Sequence, residues 1–305
     1  MTLKRHFRNA VYNTSKFITK SYIGANLYHS FISFLKKFPD KSWKGVALNV
    51  IIQGNWETFN FPPKKVSVGD IPLILVPHFG EFDFTTVLYK DLPYEIELYT
   101  FLDKQIKNYD IVIDIGANVG LFSLYASKKI ENKEGVVYAF EPSPEAYRRL
   151  LNNRHLNNAH NLKPFNLAIG DNSGFLDFFE PRGHLTNGSF LLDFAKIWDE
   201  NPAVIPVFTT TPDVVQKLVG ESKRCLIKID TEGYEAPILA AMKNFIIEKK
   251  PDIIIEVLLE YETAINDLDF LKQNYRFYSI ENEGLVEKAE IKAHPSFRDY
   301  FLTPK

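Results

Sequence analysis

Ile111-Val112-Ile113-Asp114-Ile115-Gly116-Ala117-Asn118-Val119-Gly120 reads as a buried strand that ends in an acid and a glycine-punctuated turn. The next apolar run, Val136-Val137-Tyr138-Ala139-Phe140, ends in Glu141-Pro142. A parallel sheet holds an adenosine-bearing ligand with this pairing. The glycines let the backbone approach, and the acid on the neighbouring strand tip accepts hydrogen bonds from vicinal ribose hydroxyls. The spacing is Asp-x-Gly-x-Asn-x-Gly, with Asn118 where a Gly-x-Gly-x-x-Gly fingerprint would need glycine. That disfavours a nicotinamide cofactor.

Outward from this stretch, strand and helix signals alternate from Asn108 onward. Strands are predicted over 111–115, 135–140, 162–168, 224–230, 252–257 and 275–280. Helices are predicted over 118–130, 143–157, 211–219, 235–248 and 262–273, with a further one over 94–107. Ser143-Pro144 before Glu145 and Thr211-Pro212 before Asp213 are cap-then-proline helix entries. Such alternation argues for a parallel sheet covered on both faces. Gly174–Phe179 and Val204–Thr209 read as extra strands around a long loop, Glu180–Pro202.

The carboxyl ends of the predicted strands are crowded with acids: Asp114, Glu141, Asp171, Asp230, Glu232 and Glu256. Ligands of open α/β sheets gather at that rim, and a cation or polar ligand would relieve the mutual repulsion. In Lys228-Ile229-Asp230-Thr231-Glu232-Gly233-Tyr234-Glu235, Lys228 and Asp230 share a strand face, and the buried lysine needs a partner, for which Glu235 or Glu256 is in reach. Two carboxylates, Asp230 and Glu256, are thin support for Mg2+, and no His/Cys ligand spacing occurs, so no metal ligands are assigned. His184 sits in a loop and reads as ordinary surface.

Composition sets the outer bounds. With 305 residues, 45% hydrophobic and 24% charged, the chain has ample core material, and a net charge of −2 gives no global argument for nucleic acid. The single cysteine, Cys225, precludes an intrachain disulfide and reads as a small buried hydrophobe, in keeping with a cytoplasmic, reducing setting. No apolar run reaches the length of about 18 residues that a membrane-spanning helix needs. Residues 1–93 read as an N-terminal extension and 94–305 as the main domain. Before Asp40 the extension has basic residues and no acid, interleaved with Phe7, Val11, Ile18, Tyr22, Phe31 and Leu35. That pattern fits a helix packing on its own domain or on a second copy of the chain in a homo-oligomer. A sharper reading is peripheral membrane contact through residues 1–39, on anionic lipid. Short β-like runs follow, at Val46–Ile52 and Pro72–Val76.

Taken together, the blocks Asp114-Ile115-Gly116-Ala117-Asn118-Val119-Gly120, Phe140-Glu141-Pro142, Leu167-Ala168-Ile169-Gly170-Asp171, Lys228 to Glu235 and Ile253-Ile254-Ile255-Glu256-Val257 resemble the FkbM-type family of S-adenosylmethionine-dependent methyltransferases. The resemblance covers roughly Tyr94 to Leu302. It implies an α/β, Rossmann-like class I methyltransferase sheet, mostly parallel and seven-stranded with a terminal antiparallel strand. It implies S-adenosyl-L-methionine as methyl donor, with Asp114, Gly116, Ala117, Asn118 and Gly120 around its methionine part, Glu141 on its ribose, and Ala168 and Asp171 bordering its adenine. The implied acceptor is a hydroxyl on a small molecule, such as a sugar, glycan or natural-product scaffold. Such a hydroxyl needs a general base, and Asp230 is the first candidate, Glu232 the second. The competing reading is a non-catalytic membrane-surface or assembly protein built on the same fold.

Overall fold

A computed structural model describes residues 63–78, 95–182, 184–220 and 224–305, with isolated positions at 23, 24, 27, 30 and 83. The expected basic helix within 1–39 and the strand at Val46–Ile52 lie outside those residues, those positions aside. The chain divides into two compact units, Met1–Tyr94 with Arg182–Thr186, and Glu95–Pro181 with Asn187–Lys305.

In the first unit, β1 (Lys64–Val68) and β2 (Ile71–Leu75) form an antiparallel hairpin, with Gly69 in the left-handed region at the turn. Val66, Val68, Leu73 and Leu75 point to its buried side. The His78 ring and backbone N–H both bond to the Asp83 carboxylate, at 2.6 and 2.9 Å.

The second unit begins with helix α1 (Ile96–Gln105), then β3 (Ile111–Ile115), α2 (Leu121–Ile130), β4 (Val136–Phe140), α3 (Pro144–Leu156) and β5 (Leu162–Phe165). Strands β6 (Ala168–Ile169), β7 (Gly174–Glu180) and β8 (Ala203–Thr210) follow, with α4 (Leu192–Trp198) between the last two. Next come α5 (Asp213–Val219), β9 (Cys225–Ile229), α6 (Glu235–Ala241), α7 (Lys243–Lys249) and β10 (Asp252–Glu256). The unit ends with α8 (Glu262–Asn266), α9 (Asp269–Asn274), β11 (Tyr275–Glu281), β12 (Gly284–Lys288) and β13 (Asp299–Pro304).

The main sheet runs β12-β11-β13-β10-β9-β3-β4-β5. The five strands from β10 to β5 are parallel, and β13 enters antiparallel between β10 and β11. Those seven strands are the expected arrangement. An eighth, β12, is added at the edge as a hairpin partner of β11. Every residue of β3 and β9 is buried, as a strand covered on both faces requires. On one face Ile111, Ile113 and Ile115 join Ile227, Ile229, Ile253 and Ile255 beneath Val215, Leu239, Phe245 and Leu271 of the later helices. On the other, the polar pair Asp114 and Lys228 lies by Ser123 and Phe122 of α2. Both faces supply core, since Val112, Leu226 and Ile254 are fully buried on the Asp114 side. That side also carries buried charge.

Two local differences from the sequence reading have physical causes. The strand expected over 162–168 splits, because Asn166 donates to the carbonyls of Glu141 (2.9 Å) and Pro142 (3.0 Å) and turns the chain out of the main sheet. Ala168 and Ile169 then pair with Thr209 and Thr210 in the small sheet β6-β8-β7. The helix expected over 235–248 becomes two helices meeting at Met242, which still donates to Ile238 and accepts from Ile246, both at 2.9 Å. Cys225 is buried, and burial pushes its thiol well above the ordinary range, which leaves little thiolate.

Candidate functional site at the carboxyl ends of the strands

The turn after β3 is built around two glycines. Gly116 has φ +86°, and a Cβ there would lie 1.8 Å from the Asp230 carbonyl oxygen, so the turn after β3 and the turn after β9 are in direct backbone contact. The Asp230 N–H donates to the Ile115 carbonyl at 3.0 Å and fixes that approach. Gly120, also at φ +86°, opens α2 where a Cβ would press on Leu150 at 2.9 Å. Between them Gly116 and Ala117 donate to the Phe140 carbonyl, both at 3.0 Å, which ties the turn to the tip of β4. Asn118, itself at φ +51°, accepts from the Val119 N–H at 2.7 Å.

Glu141 closes this side. Its carboxylate is 5% exposed, and each oxygen accepts one backbone N–H, Asn118 at 2.7 Å and Ser143 at 2.8 Å. Each oxygen thus keeps a lone pair for another donor. Burial raises its pKa to about 8, against the pull of those two backbone donors. Ser143 also caps α3 through Ala146 (3.2 Å) and donates to Glu180 at the end of β7 (2.5 Å). Asp114 is 1% exposed. One of its oxygens accepts from Ser123 at 2.5 Å; the other is buried without a partner. Burial lifts Asp114 to about 6, although Lys228 and Ser123 pull it down.

The second half of the site is a group of carboxylates. Asp230, Glu232 and Glu256 each bring one oxygen to within 4.8 Å of the other two, and among the described residues no other trio of potential metal ligands does so. Asp299, opposite Glu256 in the β10–β13 register, adds a fourth acid with one buried, unpartnered oxygen. Burial and then Asp230 push Glu232 and Glu256 well above the usual carboxylate range, and burial takes Asp299 to about 7. Lys228, 4% exposed, is the buried cation here. Its ammonium meets Asp230 at 2.5 Å and lies 5.5 Å from the Phe122 ring centre. Burial pulls that ammonium down, but Asp230, Glu95 and Asp114 outweigh it and hold it well above its ordinary value. The expected partners of Lys228, Glu235 and Glu256, are not the ones it takes: Asp230, two residues along the same face, is nearer.

The three clustered oxygens are a chemically apt donor set for a hard divalent cation, and equally for protons shared among acids. Other residues fix the cluster. Ser189 donates to the Glu232 carbonyl at 2.9 Å and Asn187 to its carboxylate at 3.5 Å. Of the residues chosen from sequence, Asp114, Gly116, Ala117, Asn118, Gly120 and Glu141 fall on one side of the Asp230 turn. Asp230 and Glu232 fall in the cluster. Ala168 is buried in the small sheet and Asp171 is exposed beyond it, beside the Tyr234 phenol that burial and Asp171 together push up. Sequence reasoning missed Asp299, Ser123, Glu180 and Ser189; it read Ser143 as the helix cap that it is, but not as a partner of Glu141 and Glu180. β13 buries Tyr300, Phe301 and Leu302 in a row, so no alternation singles out Asp299; the others are single serines and an acid with no pattern around them.

A parallel sheet with one reversed strand before its last neighbour, and a glycine turn facing a strand-tip glutamate, defines the class I methyltransferase fold. Residues 114–277 match the methyltransferase FkbM domain, and the chain belongs to that family. It is 26% identical over 168 residues to the hexuronic acid methyltransferase AglP of Haloferax volcanii, covering 55% of this chain and 64% of that one. To methyltransferase 1 of Beauveria bassiana it is 25% identical over 232 residues, 67% and 89% of the two chains. A crystal structure of methyltransferase FkbM from Methylobacillus flagellatus aligns with a TM-score of 0.40 and 17% identity, over 64% of this chain and 44% of that one. The chain thus spans under two thirds of the first of these relatives and of the solved structure. Among the described residues no helix is long and apolar enough to cross a membrane.

Proposed function

We propose that this chain transfers a methyl group from S-adenosyl-L-methionine to a hydroxyl of a sugar, glycan or natural-product scaffold. The observation that carries the reading is Glu141: a buried carboxylate at the tip of β4, held in place by two backbone N–H groups, with acceptor capacity left on both oxygens. Two vicinal ribose hydroxyls are the donors that such a group suits, and charge-assisted bonds of this kind contribute about 1.5–3 kcal/mol each. The orphaned oxygen of Asp114 is a second acceptor in want of a donor, and a methionine ammonium would satisfy it. Gly116 and Gly120 keep side chains out of the turn between them, and Ala168 and Asp171 border the adenine in this reading. The likeness to a hexuronic acid methyltransferase supports a sugar-type acceptor.

The donor supplies a methyl carbon already activated by its sulfonium. This chain's own residues then have two tasks, to align the acceptor oxygen with that carbon and to take its proton. Positioning accounts for roughly 7–11 kcal/mol in favourable cases. The proton goes to a carboxylate of the Asp230–Glu232 pair. Burial and the neighbouring carboxylates raise the proton affinity of Glu232 well above that of an ordinary carboxylate, which favours its taking the proton.

Calorimetry with S-adenosylhomocysteine, the spent donor, tests the reading. The wild-type chain is expected to bind it, and Glu141→Ala to bind about 10- to 100-fold more weakly, the worth of about one charged hydrogen bond. Because the hydroxyls need the ionised carboxylate, affinity should rise between pH 6.5 and 9, as Glu141 loses its proton near pH 8. No binding by the wild-type chain would overturn the proposal and return the non-catalytic reading. Metabolite profiling of a deletion strain, looking for a lost methyl mass, then identifies the acceptor.

A further inference from the structure

We propose that Glu235 is the positioning residue of this site: it shapes the Asp230–Gly233 turn so that Asp230 and Glu232 converge on Glu256. The inference rests on the reading of Asp230 and Glu232 as the proton-accepting carboxylates. One Glu235 oxygen accepts three hydrogen bonds, from the Thr231 N–H (2.8 Å), the Thr231 hydroxyl (2.9 Å) and the Gly233 N–H (3.3 Å). The other oxygen is buried with no partner, and the residue is 1% exposed. A charge placed there for solubility would be at the surface, and one placed for an ion pair would have met Lys228.

What the three bonds hold is a turn that would not form unaided. Glu232 stands at φ +55°, in the left-handed region that non-glycine residues avoid, and Gly233 at φ +101°. A Cβ on Gly233 would come within 3.0 Å of both Leu191 and Tyr261, and the Asp230 carbonyl is already against Gly116 on the other side. The turn is therefore wedged between the glycine loop and α4's entry, and Glu235 fills its centre. Without that acceptor, the buried Gly233 N–H and the half-buried Thr231 N–H lose the partner that closes the turn. The turn then relaxes, and Glu232 leaves the strained conformation that aims its carboxylate at Asp230 and Glu256.

Glu235→Ala, Glu235→Gln and Gly233→Ala separate the alternatives, measured as kcat and acceptor KM together with S-adenosylhomocysteine affinity. Glu235→Ala should lower kcat about 100-fold, the scale of a displacement of about 1 Å in a catalytic group, with donor affinity within about twofold. Glu235→Gln should keep kcat within about threefold, because its amide oxygen can accept the same three bonds. Gly233→Ala should reproduce the loss while leaving Glu235 in place. Normal turnover by Glu235→Ala overturns the proposal. So does a Glu235→Gln variant that binds donor yet turns over as poorly as Glu235→Ala, because the charge and not the acceptor would then matter. Should Glu235→Ala fail to fold, the other two decide: an active Gln variant with a depressed Gly233→Ala supports the proposal, and the reverse sinks it. Run beside Glu232→Gln, the series also separates the two readings. A depressed Glu232→Gln with normal Glu235→Ala removes the positioning role alone; an unaffected Asp230→Asn and Glu232→Gln removes the carboxylate reading beneath it.

Discussion

Glu232→Gln is expected to lower kcat by about 10²- to 10⁴-fold, the range general-base removal produces, while S-adenosylhomocysteine binds within about twofold of wild type. The amide keeps the shape of the side chain and its bond to Asn187, but cannot take a proton from an alcohol. Asp230→Asn should lower kcat as well, with a different signature. One oxygen of Asp230 is engaged by Lys228, so the asparagine leaves a buried ammonium without its nearest counter-charge, and the variant should also melt earlier. Single-turnover rates beside melting curves separate the two effects. If both variants turn over within about threefold of wild type, the base lies elsewhere. A chelator run on the wild-type enzyme completes the test: activity lost on chelation and restored by Mg2+ would reassign Asp230, Glu232 and Glu256 from proton transfer to ligation of a cation.

How much of this was legible before the fold was known depends on whether a residue's role is set by its neighbours in sequence. Gly116, Gly120 and Glu141 announce themselves, because a buried strand ending in glycines and a strand ending in a carboxylate have few other uses. Lys228 and Asp230 were placed on one face by strand periodicity alone, and they do meet there. The partner was misjudged, since Glu235 and Glu256 were equally plausible acids until distances were known. Asp299 could not be placed at all. Its membership of the cluster depends on the antiparallel register that sets it opposite Glu256, and that register is fixed by strands remote in sequence. Glu235 looked like a first-turn helix acid or an ion-pair partner, and only the hydrogen bonds to Thr231 and Gly233 reveal a different task. The split of the third strand likewise hung on a single side chain, Asn166, reaching back to Glu141 and Pro142.

Lys228→Met should be the most destabilising change in the second unit, and its cost should depend on pH. Breaking a buried ion pair by removing one partner costs about 3–5 kcal/mol, because the remaining charge is left desolvated. In a chain of this size that is a fall in Tm of about 5–8 °C. The charges left behind are Asp114 and Asp230, with Asp299, Glu232 and Glu256 beyond them; Arg298, half exposed and 3.7 Å from Glu256, is a weak substitute. The sign follows from linkage. Asp114 and Asp299 have folded pKa values near 6 and 7, above their unfolded values near 4, so the folded state holds protons that the unfolded chain has released. The stability they contribute is complete below about pH 4 and is lost as pH rises through 6 to 7. Lys228 pulls both values down, so without it they rise further and the decline steepens. The gap in Tm between wild type and Lys228→Met should therefore be smaller at pH 5, where Asp114 and Asp299 are mostly protonated in either protein and the lost Lys228–Asp230 pair is the main cost, and largest near pH 8. Melting curves at those two pH values decide the matter. A gap that is the same at both, or below about 2 °C at pH 8, would mean that Lys228 is not the counter-charge on which the acidic side of this sheet depends.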